Sequence, residues 1–212
     1  MISIIANFSN SYNNLLKYQH LFNNKNPNDI VDKIDYFIME DIINMHPNKN
    51  VNCLIILKNK DCLPCIPAIV NNKVTHISVV DSIADKQYSY FDDNILYLID
   101  NMDPLNLKEY DVIRTHAFNK NNVFKYQSNN GYDLIYFNPP NELNNALTSF
   151  YFFLSFVNEG AYILIDQYLE NKIFIDELYK LLNFDQFVIV EEVNKKLNLN
   201  ILLLKKQSNK IN

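Results

Sequence analysis

The chain has 212 residues, of which 48% are apolar and 20% are charged, and this composition fits one folded domain with a substantial core. A net charge of −5 argues against broad nucleic-acid binding, and the lack of an uncharged apolar run of about 18 residues argues against a membrane span. The three cysteines, an odd number, argue against a disulfide framework, so we expect a cytoplasmic, reducing environment.

The residue usage is biased toward Asn, Ile, Lys and Tyr. The chain contains two glycines, Gly131 and Gly160, no tryptophan, and Arg114 as its single arginine. Codons of AT-rich genomes produce such a bias, and it indicates a microbe, a parasite or a large DNA virus as the source.

The first part of the chain is predicted to be helical over residues 11–46. In its second half, Ile30, Ile34, Phe37 and Ile38 recur at three- and four-residue steps, which is the period of an amphipathic helix. We therefore predict an N-terminal helical extension over residues 1–50, an α/β domain over 51–206 and a disordered tail over 207–212.

Apolar runs bounded by polar residues predict seven strands, over residues 51–57, 74–81, 110–118, 132–140, 161–168, 186–193 and 199–206. Helices are predicted over residues 64–72, 141–160 and 170–184, and residues 94–100 fit either state. Buried strands that alternate with helices predict a Rossmann-like, doubly wound α/β fold with a mostly parallel seven-stranded sheet. The short polar link before the last strand predicts an antiparallel C-terminal hairpin.

Polar residues that follow the strands are the first candidates for a site, because ligands bind beyond the carboxyl ends of an open parallel sheet. The stretch Leu57 to Asp61 follows the first strand, Asp81 ends the second, and Asn138 and Asp166 follow the fourth and fifth.

Histidines and cysteines supply weaker candidates. His116 follows the third predicted strand and could act as a general base, whereas His76 lies inside the second strand and is expected to be a core residue. Cys62 and Cys65 form a CxxC pair downstream of Cys53. Because a fourth ligand pair and a helix start at the first cysteine are both lacking, we interpret them as small buried thiols.

The stretch "YDLIYFNPPNELNNALTSFYFFLSFVNEGAYILIDQY" resembles the fourth strand, following helix and fifth strand of class I S-adenosylmethionine-dependent methyltransferases. The resemblance spans about residues 51–206 and is closest to small-molecule and sugar O-methyltransferases. In that family a "GG" turn, here Gly160 and Ala161, precedes the fifth strand, and an acidic pair, here Asp166 and Gln167, follows it. The resemblance implies that Asp81 accepts hydrogen bonds from the cofactor ribose.

The cofactor loop departs from the family pattern, an acid followed by three spaced glycines. Ile55 stands at the position of the acid, and Leu57, Asn59 and Asp61 stand at those of the glycines. Glycine lets the backbone approach the ligand without a Cβ atom, so Leu57 is predicted to project toward the cofactor. The departure argues against ordinary S-adenosylmethionine binding.

The segment Asn138-Pro139-Pro140 has three interpretations. It resembles the motif of nitrogen methyltransferases, in which the Asn accepts a hydrogen bond from the target nitrogen, although Asn141 replaces the following aromatic. It also resembles the metal-binding region of some O-methyltransferases. With Asp166 as the only charged group there, no metal is expected. The third interpretation is a rigid turn.

Two functions follow from these patterns. The first is a non-catalytic, methyltransferase-like binding or scaffolding subunit that forms a homo-oligomer or binds a protein partner. The alternative is an active S-adenosylmethionine-dependent methyltransferase that acts on the oxygen of a sugar or small-molecule acceptor, or on an amide or base nitrogen. In the active alternative, His116, Asn138 and Asp166 are the candidate catalytic residues.

Overall fold

A computed structural model describes residues 34–57, 64–81, 90–105, 107–114, 131–140, 142–166, 172–181, 187–191 and 201–207. These residues form a seven-stranded sheet with helices on both faces, which confirms the predicted fold class. The strands are β1 (Val51–Leu57), β2 (Val74–Asp81), β3 (Glu109–Arg114), β4 (Tyr132–Phe137), β5 (Val157–Asp166), β6 (Phe187–Glu191) and β7 (Ile201–Lys206). The helices are α1 (Ile34–Met45), α2 (Cys65–Val70), α3 (Tyr90–Met102), α4 (Leu143–Leu154) and α5 (Lys172–Leu181).

The strand order in the sheet is β3-β2-β1-β4-β5-β7-β6. Strands β1 to β5 pair in parallel, and β7 pairs antiparallel with both β5 and β6, so the predicted terminal hairpin is confirmed. The chain runs outward from β1 through β2 to β3, and then outward in the other direction from β4. The order therefore reverses between β1 and β4, the place where open α/β sheets bind their ligands.

Two apolar clusters fill the two faces of the sheet. Successive residues of a strand point to opposite faces, so along β1 the side chains of Cys53, Ile55 and Leu57 join one cluster and those of Leu54 and Ile56 join the other. The first cluster also contains the buried apolar residues of α1, α2 and α3, and the second contains those of α4 and α5. None of the helices in the described ranges combines the length and the apolar character that crossing a membrane would need.

Helix α1 is part of the same core as the sheet. Its residues Ile38, Met39, Ile42 and Ile43 are buried in the first apolar cluster, because spacings of four residues place them on one side of the helix. The predicted helix over 11–46 is therefore seen as Ile34–Met45, and residues 11–33 lie outside the described part.

The predicted boundary between the helix that follows the fourth strand and the fifth strand is wrong. Helix α4 ends at Leu154, not at Gly160, and β5 already begins at Val157. The pairing runs from Tyr132–Val157 to Leu134–Tyr162, so β5 advances five residues while β4 advances two. Gly160 lies in this irregular segment with a φ of 76°, a left-handed conformation that favours glycine. Gly160 thus allows the backbone to form a bulge within β5, and it does not form a turn after a helix.

Three further elements differ in detail from the prediction. The ambiguous stretch 94–100 is helical and belongs to α3. Strand β4 ends at Phe137 because the two prolines that follow Asn138 cannot donate backbone hydrogen bonds to a neighbouring strand. The predicted third strand, 110–118, is seen as Glu109–Arg114, and residues 115–118 lie outside the described ranges.

Asp41 on α1 supplies a test of the electrostatics of this helix. Partial burial and the neighbouring charge of Glu40 raise the pKa of Asp41 from 3.8 to about 6. The folded state therefore holds this proton more tightly than the unfolded state, so stability falls as the pH rises from about 4 to about 6.

We expect Asp41→Asn to be more stable than the parent protein at pH 7.5, with the difference disappearing near pH 4. Solvent screens this half-buried charge, so the expected gain is about 1 kcal/mol. Urea unfolding at both pH values measures it, and Asp100→Asn on the exposed side of α3 is the matched control. Equal gains at pH 4 and pH 7.5 would contradict the assignment.

Candidate functional site

The carboxyl ends of the parallel strands bring four of the sequence-predicted residues to one edge of the sheet. Leu57 ends β1 and pairs with Asp81, which ends β2. Asn138 directly follows β4, and Asp166 ends β5. The backbone of Asp81 is described but its side chain is not, so its predicted contact with a ribose stays a prediction.

Asn138 lies at the point where the strand order reverses. Its backbone N–H donates a hydrogen bond to the carbonyl oxygen of Ile56, at 3.1 Å, so the segment after β4 is joined to the end of β1. The Asn138 side chain is only 7% exposed. A buried polar side chain at this position is what a ligand site of this fold needs.

Asp166 accepts two hydrogen bonds on the same carboxylate oxygen. The Tyr136 hydroxyl donates to Asp166 Oδ2 at 2.8 Å, and Asn138 Nδ2 donates to it at 3.0 Å. Tyr136 is almost fully buried and was not among the predicted site residues. The signal was present, because Tyr136 and Asn138 are two residues apart and therefore point to the same face of the sheet.

The side-chain oxygen of Asn138 has no hydrogen-bond partner within the described ranges of the chain. A buried polar atom without a partner costs about 1 to 3 kcal/mol. Among the described residues at this edge, Asn138 therefore has a buried side-chain atom without a hydrogen-bond partner. Because its Nδ2 donates to Asp166, that atom is Oδ1.

The end of β1 does not fit the cofactor of the family. Ile55, at the position of the acid, is fully buried, and Leu57, at the position of the first glycine, is 2% exposed. Both side chains pack in the first apolar cluster against residues of α1, α2 and α3. Neither side chain can accept a hydrogen bond. Leu57 also places a branched side chain at a position where the family has glycine.

Asn138 and Asp166 do not form a metal centre with other described residues. In the described ranges there is no group of three or more His, Cys, Asp or Glu side chains placed to hold an ion. Of the remaining predicted residues, His116, Asn59, Asp61, Gln167 and Cys62 lie outside those ranges, and their predicted roles stay predictions.

His76 lies away from this edge, as the third residue of the eight-residue strand β2. Its Nε2 lies 3.0 Å from Ser78 Oγ and 3.1 Å from Asp111 Oδ2, and its Nδ1 lies 3.4 Å from Glu109 Oε2. The Ser78 hydroxyl, at 2.7 Å from the Tyr132 hydroxyl, is fully buried, so this Ser–His–acid arrangement has no accessible nucleophile. His76 is a hydrogen-bonded residue of the sheet, but it is only partly buried and belongs to neither apolar cluster, so the expectation of a core residue is not met.

The described cysteines are structural. Cys53 and Cys65 are fully buried in the first apolar cluster, and neither forms a disulfide. Burial raises the pKa of the Cys53 thiol, and the charge of Asp133 raises it further. A thiol of this kind is unreactive.

Comparisons of the sequence with models of known families and with curated proteins give no match. Solved structures do match the fold. A predicted caffeoyl-CoA O-methyltransferase from Staphylococcus aureus aligns with a TM-score of 0.57 and 11% identity, covering 93% of this chain and 92% of that one. An rRNA methylase from Streptococcus thermophilus aligns with a TM-score of 0.55 and 11% identity, covering 81% and 96%. A predicted methyltransferase from Streptococcus mutans, solved with SAH, aligns with a TM-score of 0.53 and 13% identity, covering 80% and 96%.

The chain therefore has the fold of class I S-adenosylmethionine-dependent methyltransferases, as its resemblance to that family implied. The mostly parallel seven-stranded sheet and the antiparallel β7 are those of the predicted architecture. At these identities the likeness establishes the fold, and the activity has to be argued from the site.

Proposed function

We propose that this protein is a non-catalytic member of the methyltransferase fold that works as a binding or scaffolding subunit. The observation that carries the proposal is the burial of Ile55 and Leu57 in the first apolar cluster. An acid and a bare backbone are the two features that hold the methyl donor in the family, and in this chain both positions are apolar and built into the core.

The hydrogen bonds that Asp166 accepts support the same proposal. A catalytic base or a metal ligand needs an oxygen that faces the substrate or the ion. Asp166 Oδ2 is instead occupied by the hydroxyl of Tyr136 and the amide of Asn138. This oxygen of the carboxylate thus serves to hold neighbouring side chains in place.

Calorimetric titration with S-adenosylmethionine and with S-adenosylhomocysteine tests the proposal directly. We expect no saturable binding of either compound, that is, a dissociation constant weaker than about 1 mM. Micromolar binding that is lost in Asp81→Ala but kept in the control Asp100→Ala would favour the active methyltransferase on a sugar or small metabolite instead.

The scaffolding part of the proposal concerns assembly. We expect sedimentation velocity of the purified full-length chain to show a dimer, or a partner protein that remains bound through purification. A chain that stays monomeric at every concentration and binds no partner would contradict a scaffolding role, whatever the result with the cofactor.

A further inference from the structure

The loop that joins α3 to β3 is fixed by the side chain of Asp103. Asp103 is buried, and its backbone N–H donates to the carbonyl oxygen of Ile99 at 2.8 Å, which continues the hydrogen bonding of α3. One of its carboxylate oxygens accepts the backbone N–H of Leu107 at 3.1 Å, and the other accepts the hydroxyl of Tyr110 at 2.7 Å. Since Tyr110 packs against the first apolar cluster, the loop is held to the core at both of its ends.

This fixed loop and α3 carry exposed apolar side chains. Leu105 and Leu107 in the loop are 77% and 76% exposed, and Leu96 and Tyr97 on α3 are about half exposed. The described ranges hold seven large apolar side chains that are exposed, and these four all fall within residues 96–107. Single exposed apolar residues are common on folded proteins, whereas a concentration of them marks an interaction site. We call these four side chains the α3 surface.

The two parts of the α3 surface lie close enough for one partner to contact both. Tyr97 and Asp103 are six residues apart on a continuous helical run, which corresponds to a rise of about 9 Å. The hydrogen bond from Leu107 to Asp103 then keeps the loop at the end of the helix. A short helical or extended segment of a partner spans this distance.

The excess negative charge of the chain is concentrated in the same part of the sequence. Residues 90–112 contain one lysine, Lys108, and six acids, Asp92, Asp93, Asp100, Asp103, Glu109 and Asp111. Of the 24 acids and 19 bases in the chain, this leaves 18 of each for the rest, so the net charge of −5 belongs to this stretch. Asp100 and Glu109 are exposed. The charge of this part of the protein is therefore complementary to that of a basic partner.

We propose that the α3 surface binds a segment of a second protein that combines apolar side chains with lysine or arginine residues. The inference rests on the proposed scaffolding function and specifies the surface and the partner for it. A second copy of the chain fits less well, because a two-fold interface here would bring the same acidic stretch of both copies together. Nucleic acids and anionic membranes are disfavoured by the sign of the charge.

Two synthetic peptides of opposite charge serve as probes. One has leucine and lysine in the pattern of an amphipathic helix, and the other has glutamate in place of every lysine. In fluorescence anisotropy with the full-length chain, we expect the lysine peptide to bind saturably, with a dissociation constant of about 10 μM, and the glutamate peptide to bind at least about tenfold more weakly. Equal binding of the two peptides would overturn the proposal.

Leu105→Ser combined with Leu107→Ser removes the two most exposed apolar contacts without changing the core. We expect this variant to bind the lysine peptide about tenfold more weakly. The matched control is Ile173→Ser, since Ile173 is 69% exposed but belongs to α5, on the other face of the sheet. The control should bind the peptide as the parent does. Unchanged binding in the double variant, or an equal loss in the control, would contradict the site.

Asp100→Lys tests the contribution of the local charge. Glu159→Lys is its matched control, because it changes the net charge by the same amount at an exposed position on β5. We expect Asp100→Lys to weaken binding of the lysine peptide at least about threefold more than Glu159→Lys does. Equal effects would mean that only the overall charge attracts the peptide, and would contradict a site at α3.

Sedimentation velocity distinguishes a partner protein from a second copy. A dimer of the parent chain that the double serine variant cannot form would assign the α3 surface to self-association and overturn the proposed partner. The titrations with S-adenosylmethionine are independent of these measurements. Cofactor binding together with selective binding of the lysine peptide would refute the non-catalytic function and retain the α3 surface, and the opposite pair of results would do the reverse.

Discussion

Phe150→Ala is expected to lower the free energy of unfolding by about 3 to 5 kcal/mol, the largest effect that we predict for a single side chain. Phe150 on α4 is 2% exposed and belongs to the second apolar cluster. Its ring centroid lies 5.4 Å from that of Phe137 and 6.0 Å from that of Phe174, with interplanar angles of 67° and 79°. Truncation leaves a cavity and removes both edge-to-face contacts.

Urea unfolding measures this effect, with the midpoint shifted and the slope unchanged. The neighbouring Tyr151 is the matched control, since it is also an aromatic residue of α4 but is 39% exposed. Tyr151→Ala should cost no more than about 1 kcal/mol. Similar losses in the two variants would mean that α4 is stabilised by its helical propensity and not by the aromatic contacts under β4.

Asp133→Ala is expected to destabilise the protein by about 3 kcal/mol, through the loss of charged hydrogen bonds and not through a cavity. Asp133 is 4% exposed at the amino-terminal end of β4. Its carboxylate accepts hydrogen bonds from the backbone N–H of Asn52 at 2.9 Å, and from the side-chain amides of Asn158 at 3.0 Å and Asn48 at 3.3 Å. Removing the carboxylate leaves these donors without their acceptor.

The titration of His46 reports specifically on the lost charge. Burial lowers the pKa of His46, Asp133 opposes this effect, and Lys73 and Lys205 add to it. In Asp133→Ala the His46 pKa should therefore fall further, as followed by NMR. Asp100→Ala is again the control for stability and should change it by less than about 0.5 kcal/mol. A normal unfolding midpoint in Asp133→Ala would contradict the structural role of this carboxylate.

Much of the candidate site could be located from local sequence, because the carboxyl end of a parallel strand is recognisable from the strand itself. The strands 51–57 and 74–81 were predicted with the boundaries that the structure has. This placed Leu57 and Asp81 at the correct edge, and the structure shows that their strands are adjacent. Asn138 and Asp166 were located in the same way, from the ends of the fourth and fifth strands.

The partners of these residues could not be predicted, because they depend on contacts between distant parts of the chain. Tyr136 looked like one apolar residue in a buried strand, and its hydroxyl bonds a carboxylate 30 residues away. The end of α4 was misjudged for a related reason. The apolar residues Phe156 and Val157 continue the spacing of a helix, but residues 155 and 156 form a turn and the pairing of Val157 with Tyr132 places 157–160 in β5.

The sequence by itself determined the α/β class, the presence of seven strands and the two positions at which glycine stands. Those two glycines, the only ones in the chain, have φ values of 64° and 76°, conformations that other residues avoid. The tertiary structure decided that Ile55 and Leu57 are core residues and that Asn138 Oδ1 faces away from Asp166. Periodicity along the chain records which face a side chain takes, whereas only the packed sheet determines which atoms meet there.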